Sequence, residues 1–401
     1  MKVSSLSMHA ARFAAFAATL TLIACAGTAP LSGSRPSTAT AASIPPPAAP
    51  RPPPPPAVTT PAPESLAPPP TAIPVAPTYQ PRNDHIALVL PLQSRLYGQA
   101  AEAVRAGFLA AANAAGGGAR IQVIGHGDDG VLPAIATVTE AGAALVVGPL
   151  TRDDLKTAFA MSPLRPRMLV LNQPEDGGPL PSDTYALALA FEGDATLLAR
   201  RAFEAGARSV AAVVNDSPLQ KRFANAFLAE WERIGGAPPK LYRFDPNPEV
   251  LALLRRELAA RTPDAVLLAL GGEEAALTKP YLPQKPVYAA SQIGDGLPPA
   301  MLRDLEGVRY VEIPWLADPA AAAFARLPRG NSDDPVLERL YALGLDAFAL
   351  AELLANAVPP QRIEFDGATG HLSLTPSRYF AREGRLMVIH DGQSMAYAPP
   401  Q

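Results

Sequence analysis

The chain holds one cysteine, Cys25, in 401 residues, so no disulfide closes within it and any fold must stand on its core. Aromatic residues are sparse at 6%, which leaves aliphatic side chains and alanine to supply most of a 48% hydrophobic composition. Charge is also scarce. Only 18% of residues are ionisable and the formal net charge is -3, without the basic surface that nucleic acid requires. Beyond the N-terminal segment, no apolar run reaches the roughly 18 residues of a membrane-spanning helix. The nucleophile elbow Gly-x-Ser-x-Gly, the HExxH zinc motif and the P-loop are all missing. The expectation is a chain without catalytic activity that uses no cofactor and no metal.

What is present begins at the N-terminus. Lys2 and Arg12 precede an apolar run from Phe13 to Ala24, about the length of a signal-peptide core and too short to span a bilayer. It ends Leu22-Ile23-Ala24-Cys25, which resembles the lipobox of bacterial lipoproteins. That resemblance implies that residues 1–24 are removed and that Cys25 is acylated, which accounts for a lone thiol in an exported chain. From Ala26 to Pro81 lie 19 of the 47 prolines, with three charges and one aromatic residue, Tyr79. Such a stretch lacks amide donors and has little to bury, so residues 25–81 are expected to form an extended, solvated tether. At about 3.1 Å per residue, some 55 residues could reach on the order of 170 Å when fully extended.

From Arg82 onward, apolar runs of strand length alternate with segments of helical period. Ile86 to Leu92, Ile121 to Ile124, Ala144 to Gly148, Met168 to Asn172 and Thr184 to Leu189 read as strands. The rhythm restarts after Phe191, with strands at Val210 to Asn215, Lys240 to Phe244, Ala265 to Leu270 and Val287 to Ser291. This βαβ alternation implies mainly parallel sheets covered on both faces. About 320 residues with two such sets suit two lobes better than one large sheet. Later, Val308 to Trp315 reads as a strand and Pro335 to Val358 as a long helix. The middle of that helix, Leu340 to Ala351, carries one charge, Asp346, so it should be buried at a lobe junction. Asp391-Gly392 between two short strands signals a hairpin.

Several segments carry a family resemblance. Ile86-Ala-Leu-Val-Leu-Pro-Leu92, the helix through Arg105-Ala-Gly-Phe108, and Phe365-Asp-Gly-Ala-Thr-Gly370 are similar to type I periplasmic-binding proteins. Val147-Gly-Pro-Leu150, Leu171-Asn-Gln173, Tyr288-Ala-Ala-Ser291, Asp304-Leu-Glu-Gly-Val308, Ile313-Pro-Trp-Leu316 and Arg339 through Ala347 resemble the LppC-type lipoproteins that activate penicillin-binding proteins. The fold so implied is α/β, with two doubly wound parallel-sheet lobes. The first is expected to take 82–190 plus about 310–358, the second 191–309 plus about 359–401. The resemblance further implies an outer-membrane lipoprotein facing the periplasm, near peptidoglycan, whose partner is a class A penicillin-binding protein. Its best-studied branch carries a helical-repeat domain where this chain has the proline-rich tether.

Two features admit another reading. Gly125-His-Gly-Asp-Asp-Gly130 matches a dinucleotide fingerprint, yet Asp128 and Asp129 put negative charge where a pyrophosphate would sit. A strand-end turn capped by aspartate accounts for it better, and His126 with these aspartates makes a weak metal set. A cleft ligand would lie at the carboxyl ends of the strands, between the lobes. That nominates Leu92, Thr151, Asn172, Asn215 and Ser291 as wall residues, although Thr151 and Asn215 also suit plain capping roles. The alternative function is a tethered periplasmic receptor for an amino acid or similar small solute, which Asp153 and Asp154 disfavour where a carboxylate would anchor.

Overall fold

Ile86–Leu90 (β1) is buried at all five positions, as a strand covered on both faces must be. The computed structural model containing it describes residues 79–398 apart from 162–164, 176 and 331. Cys25, the segment before it and the tether up to residue 78 lie outside the described residues. The last tether residues that are described end against the globular part. The Tyr79 hydroxyl donates to the Ala143 carbonyl at 2.9 Å.

After β1 come α1 (Gly98–Ala114), β2 (Ile121–Gly125), α2 (Leu132–Ala141), β3 (Leu145–Val147), α3 (Arg152–Phe159), β4 (Arg167–Val170) and β5 (Thr184–Ala186). The strands form one parallel sheet in the order β2-β1-β3-β4-β5. The second run is α4 (Phe191–Glu204), β6 (Val210–Val214), α5 (Pro218–Arg233), β7 (Lys240–Arg243), α6 (Pro248–Ala260), β8 (Ala265–Ala269), α7 (Gly272–Thr278), β9 (Val287–Ala289), α8 (Pro299–Asp304) and β10 (Val308–Glu312). There follow α9 (Pro314–Ala317), α10 (Pro335–Leu354), β11 (Glu364–Asp366), β12 (His371–Leu374), β13 (Phe380–Glu383), β14 (Arg385–His390) and β15 (Gln393–Ala396). The second sheet runs β15-β14-β10-β9-β8-β6-β7, parallel except for β14 and β15. The expected hairpin forms at its edge, with Asp391 and Gly392 both at positive φ.

The lobe boundaries differ from those expected in two places. β10, which straddles the boundary expected near residue 310, pairs along its length with β9 and β14 in the second sheet. Its Val308 and Tyr310 bury into the core around β8 and β9, while Val311 faces the core under α4 and α5. Conversely, most of the tail assigned to the second lobe packs on the first. β11, β12 and β13 form a small antiparallel sheet whose Leu372 and Phe380 join the core of β1, α1 and α10. Ala186 of β5 bridges Tyr379. Only β14 and β15 return to the second sheet. Strand character is written in hydrophobic periodicity, but the choice of sheet depends on distant partners.

The long apolar helix is α10, and it packs against α1. The two backbones meet through glycine. A Cβ on Gly107 would lie 1.9 Å from the Tyr341 carbonyl oxygen, and one on Gly344 would lie 2.1 Å from that of Val104. Phe108 and Phe348 interlock edge to face, with ring centroids 5.4 Å apart. In an exposed helix, Gly→Ala gains up to about 1 kcal/mol from propensity. Here the methyl group meets backbone that cannot step aside, so Gly344→Ala is expected to destabilise by about 3 kcal/mol. Denaturant unfolding reads this, and a stabilised variant would contradict the close helix contact.

Candidate functional site

The chain passes between the sheets three times: after β5, after β10, and at Gly384 between β13 and β14. Gly384 fits a tight approach, because a Cβ there would lie 2.8 Å from the Glu312 carbonyl oxygen. Beside these crossings a cavity of about 250 Å³ opens between the lobes. Leu150, Leu171 and Asn172 wall it from the first lobe, and Ser291, Gln292 and Ile313 face them. Leu150 and Asn172 are tied together, since Asn172 Nδ2 donates to the Leu150 carbonyl at 2.9 Å.

Of the five residues nominated from sequence, Asn172 and Ser291 line this cavity. The other three do not. Leu92 packs toward Gly125, where an added Cβ would lie 3.2 Å from its own Cβ. Thr151 is the N-cap of α3, its Oγ1 accepting from the Asp154 N–H at 3.2 Å. Asn215 shapes the turn after β6, accepting from the Ser217 N–H and donating to Glu274. In the Gly125–Gly130 loop, Asp129 accepts the Gly127 N–H at 3.0 Å, the turn expected there, and His126 is buried 3.9 Å from Asp154. Among the described residues, Glu306, His390 and Asp391 lie close enough to share a cation, but all three are exposed and hydrogen-bond one another.

The sequence reading missed the charges that dominate the cavity. Arg339 of α10 donates to Glu312 at 2.6 and 3.1 Å and to Asp295 at 2.6 and 3.0 Å. Arg382 of β13 donates to Asp194 of α4 at 2.6 Å, with both side chains under a tenth exposed. Each arginine belongs to the first lobe and each carboxylate to the second. Burial alone would lower the pKa of Arg339, but the hydrogen bonds it donates to Glu312 and Asp295 outweigh this and hold the guanidinium charged. Asp346, the single charge in the middle of α10, accepts from the Ala368 N–H, the Thr369 N–H and the Thr369 hydroxyl, at 2.6 to 2.7 Å. Burial, opposed by these bonds, raises its pKa to about 6. One signal was legible beforehand: a lone carboxylate within an apolar helix demands a buried partner. Arg382 then donates to the Thr369 carbonyl at 3.0 Å, linking the Asp346 turn to the Asp194 pair.

A larger groove of about 560 Å³ runs along α3 beside Pro174 and Glu175, on the first lobe alone. It lacks the convergent buried charges, and no residue nominated from sequence lies in it.

Two doubly wound lobes, three crossings and a cavity at the strand ends define a protein of the periplasmic-binding-protein type. The family can be stated more narrowly. The model described as "LppC putative lipoprotein" matches residues 69–253 and 247–387, and the chain belongs to this lipoprotein family. The penicillin-binding protein activator LpoA of Edwardsiella piscicida is 30% identical over 301 residues, covering 64% of this chain and 43% of that protein. That of Escherichia coli K12 is 27% identical over 305 residues, covering 65% and 44%. The chain thus spans a little under half the length of these relatives. Among solved structures, the C-domain of Haemophilus influenzae LpoA, "a regulator of PBP1A", shares the fold, with a TM-score of 0.66 at 22% identity. The match covers 78% of this chain and all of that domain. A Chromobacterium violaceum structure described as a "putative branched-chain amino acid ABC transporter" has a TM-score of 0.66 at 33% identity, covering 76% of this chain and 99% of that one.

Removing one partner of a buried ion pair strands the other charge. Arg382→Met is therefore expected to cost about 3–5 kcal/mol. Arg382→Met combined with Asp194→Leu should cost less than the single change. Denaturant unfolding measures both, and a single variant within about 1 kcal/mol of the parent would refute the pairing.

Proposed function

We propose that this chain is a lipid-anchored regulator that binds a class A penicillin-binding protein in the periplasm and activates peptidoglycan synthesis, without catalysis of its own. The observation that carries this reading is family membership across residues 69–387, with relatives named as penicillin-binding protein activators. Acylation at Cys25 would hold the chain in the outer membrane, and residues 25–81 would let the lobes work at a distance, near peptidoglycan. Activation requires that the chain bind the synthase's active conformation more tightly than its resting one. Arg339 and Arg382, the cations lining the cavity, are both occupied by carboxylates, which suits a protein whose partner meets its outer surface.

A solute receptor is the second reading. It rests on the 33% identity to the Chromobacterium violaceum structure and on the cavity itself. A saturable rise in melting temperature with a branched-chain amino acid would favour it.

The deciding experiment is reconstituted peptidoglycan synthesis with the full chain and a class A synthase in detergent. The expected outcome is a saturable rise in rate with measurable binding, retained by Cys25→Ala in solution while that variant fails in cells. Unchanged rate without binding would overturn the proposal.

A further inference from the structure

A protein that closes over a solute needs crossing segments free to change their backbone angles. In this chain each crossing is pinned by buried charge. The first leads into α4, whose Asp194 is held by Arg382 at 2.6 Å, and Arg382 itself stands two residues before the third crossing at Gly384. The second starts at Glu312, where one carboxylate oxygen accepts both from the Ile313 N–H at 2.8 Å and from Arg339 Nε. Arg339 also reaches Asp295, on the loop that follows β9 in the second lobe.

Rotation of one lobe about the crossings would strain the pairs that join the lobes, Arg382–Asp194, Arg339–Glu312 and Arg339–Asp295. The separated groups would be left in a site of low dielectric constant without partners, where charge is costly to hold. An incoming carboxylate could not repay that cost. It would meet two acids, Asp194 and Glu312, against two guanidinium groups that are already paired. We propose that these ion pairs brace the hinge at one angle, so that the two lobes act as a single rigid body and do not close over a solute. A body of this kind would present a surface built from both lobes at a fixed geometry.

The test is a distance measurement between lobes. In the full chain carrying Cys25→Ala, spin labels are placed at Ala136→Cys on α2 and Ala252→Cys on α6, both exposed. Pulsed dipolar spectroscopy is expected to give one narrow distribution, unmoved by a saturating mixture of free amino acids. Arg339→Gln together with Arg382→Gln should broaden or displace it while circular dichroism stays that of the parent. A parent distribution that is broad, or that shifts with amino acids, overturns the brace. Should the double variant fail to fold, Asp295→Asn removes only the Arg339–Asp295 ion pair between the lobes and should add a second distance; an unchanged distribution there also overturns it. These outcomes do not depend on the synthesis assay, so the brace and the activator reading fail separately.

Discussion

Arg382 and Asp194 meet 2.6 Å apart where the chain makes its first and its last entry into the second lobe, and neither side chain is more than a tenth exposed. Opposite charges at such depth must find each other, because either alone would pay most of its hydration energy without return. The pair therefore fixes β13 against α4. Arg339 does the same for α10 against β10 and the loop at Asp295. Each sheet has its own aliphatic cores, and these buried charges pair between the two lobes.

The apolar framework explains why those charges can be placed so accurately. α10 lies against α1 with Gly107 and Gly344 facing opposing backbone, a contact that fixes the position of Arg339 along the helix. Below it, Asp346 ties the helix to the Ala368–Thr369 turn. That turn receives Arg382 on its carbonyl side. Positioning thus passes from helix packing to a buried carboxylate, to a turn, and finally to the second arginine. Each step uses donors and acceptors that would otherwise be buried without partners.

Strands, helices and the two-lobed class were legible in the sequence because they follow from periodicity. The β1 run, the Thr151 cap and the Asp391-Gly392 hairpin lie where local chemistry puts them. The sheet to which β10 belongs was not legible, nor was the packing of β11, β12 and β13 on the first lobe, since both depend on partners tens to hundreds of residues away. The cavity was half legible. Asn172 and Ser291 follow from strand ends, whereas Leu92, Thr151 and Asn215 are drawn into local packing and capping. The arginines were missed because a surface arginine and one bridging two lobes look alike in a single sequence. Several segments that carry the family resemblance nonetheless converge on the cavity, including those of Leu150, Asn172, Ser291, Ile313 and Arg339.

If buried charge makes the two sheets one mechanical unit, they should also unfold as one. Differential scanning calorimetry of the full chain tests this directly. A single transition whose calorimetric and van't Hoff enthalpies agree is expected for the globular part. Two resolved transitions, one for each sheet and its helices, would contradict the coupling of the lobes through Arg339 and Arg382.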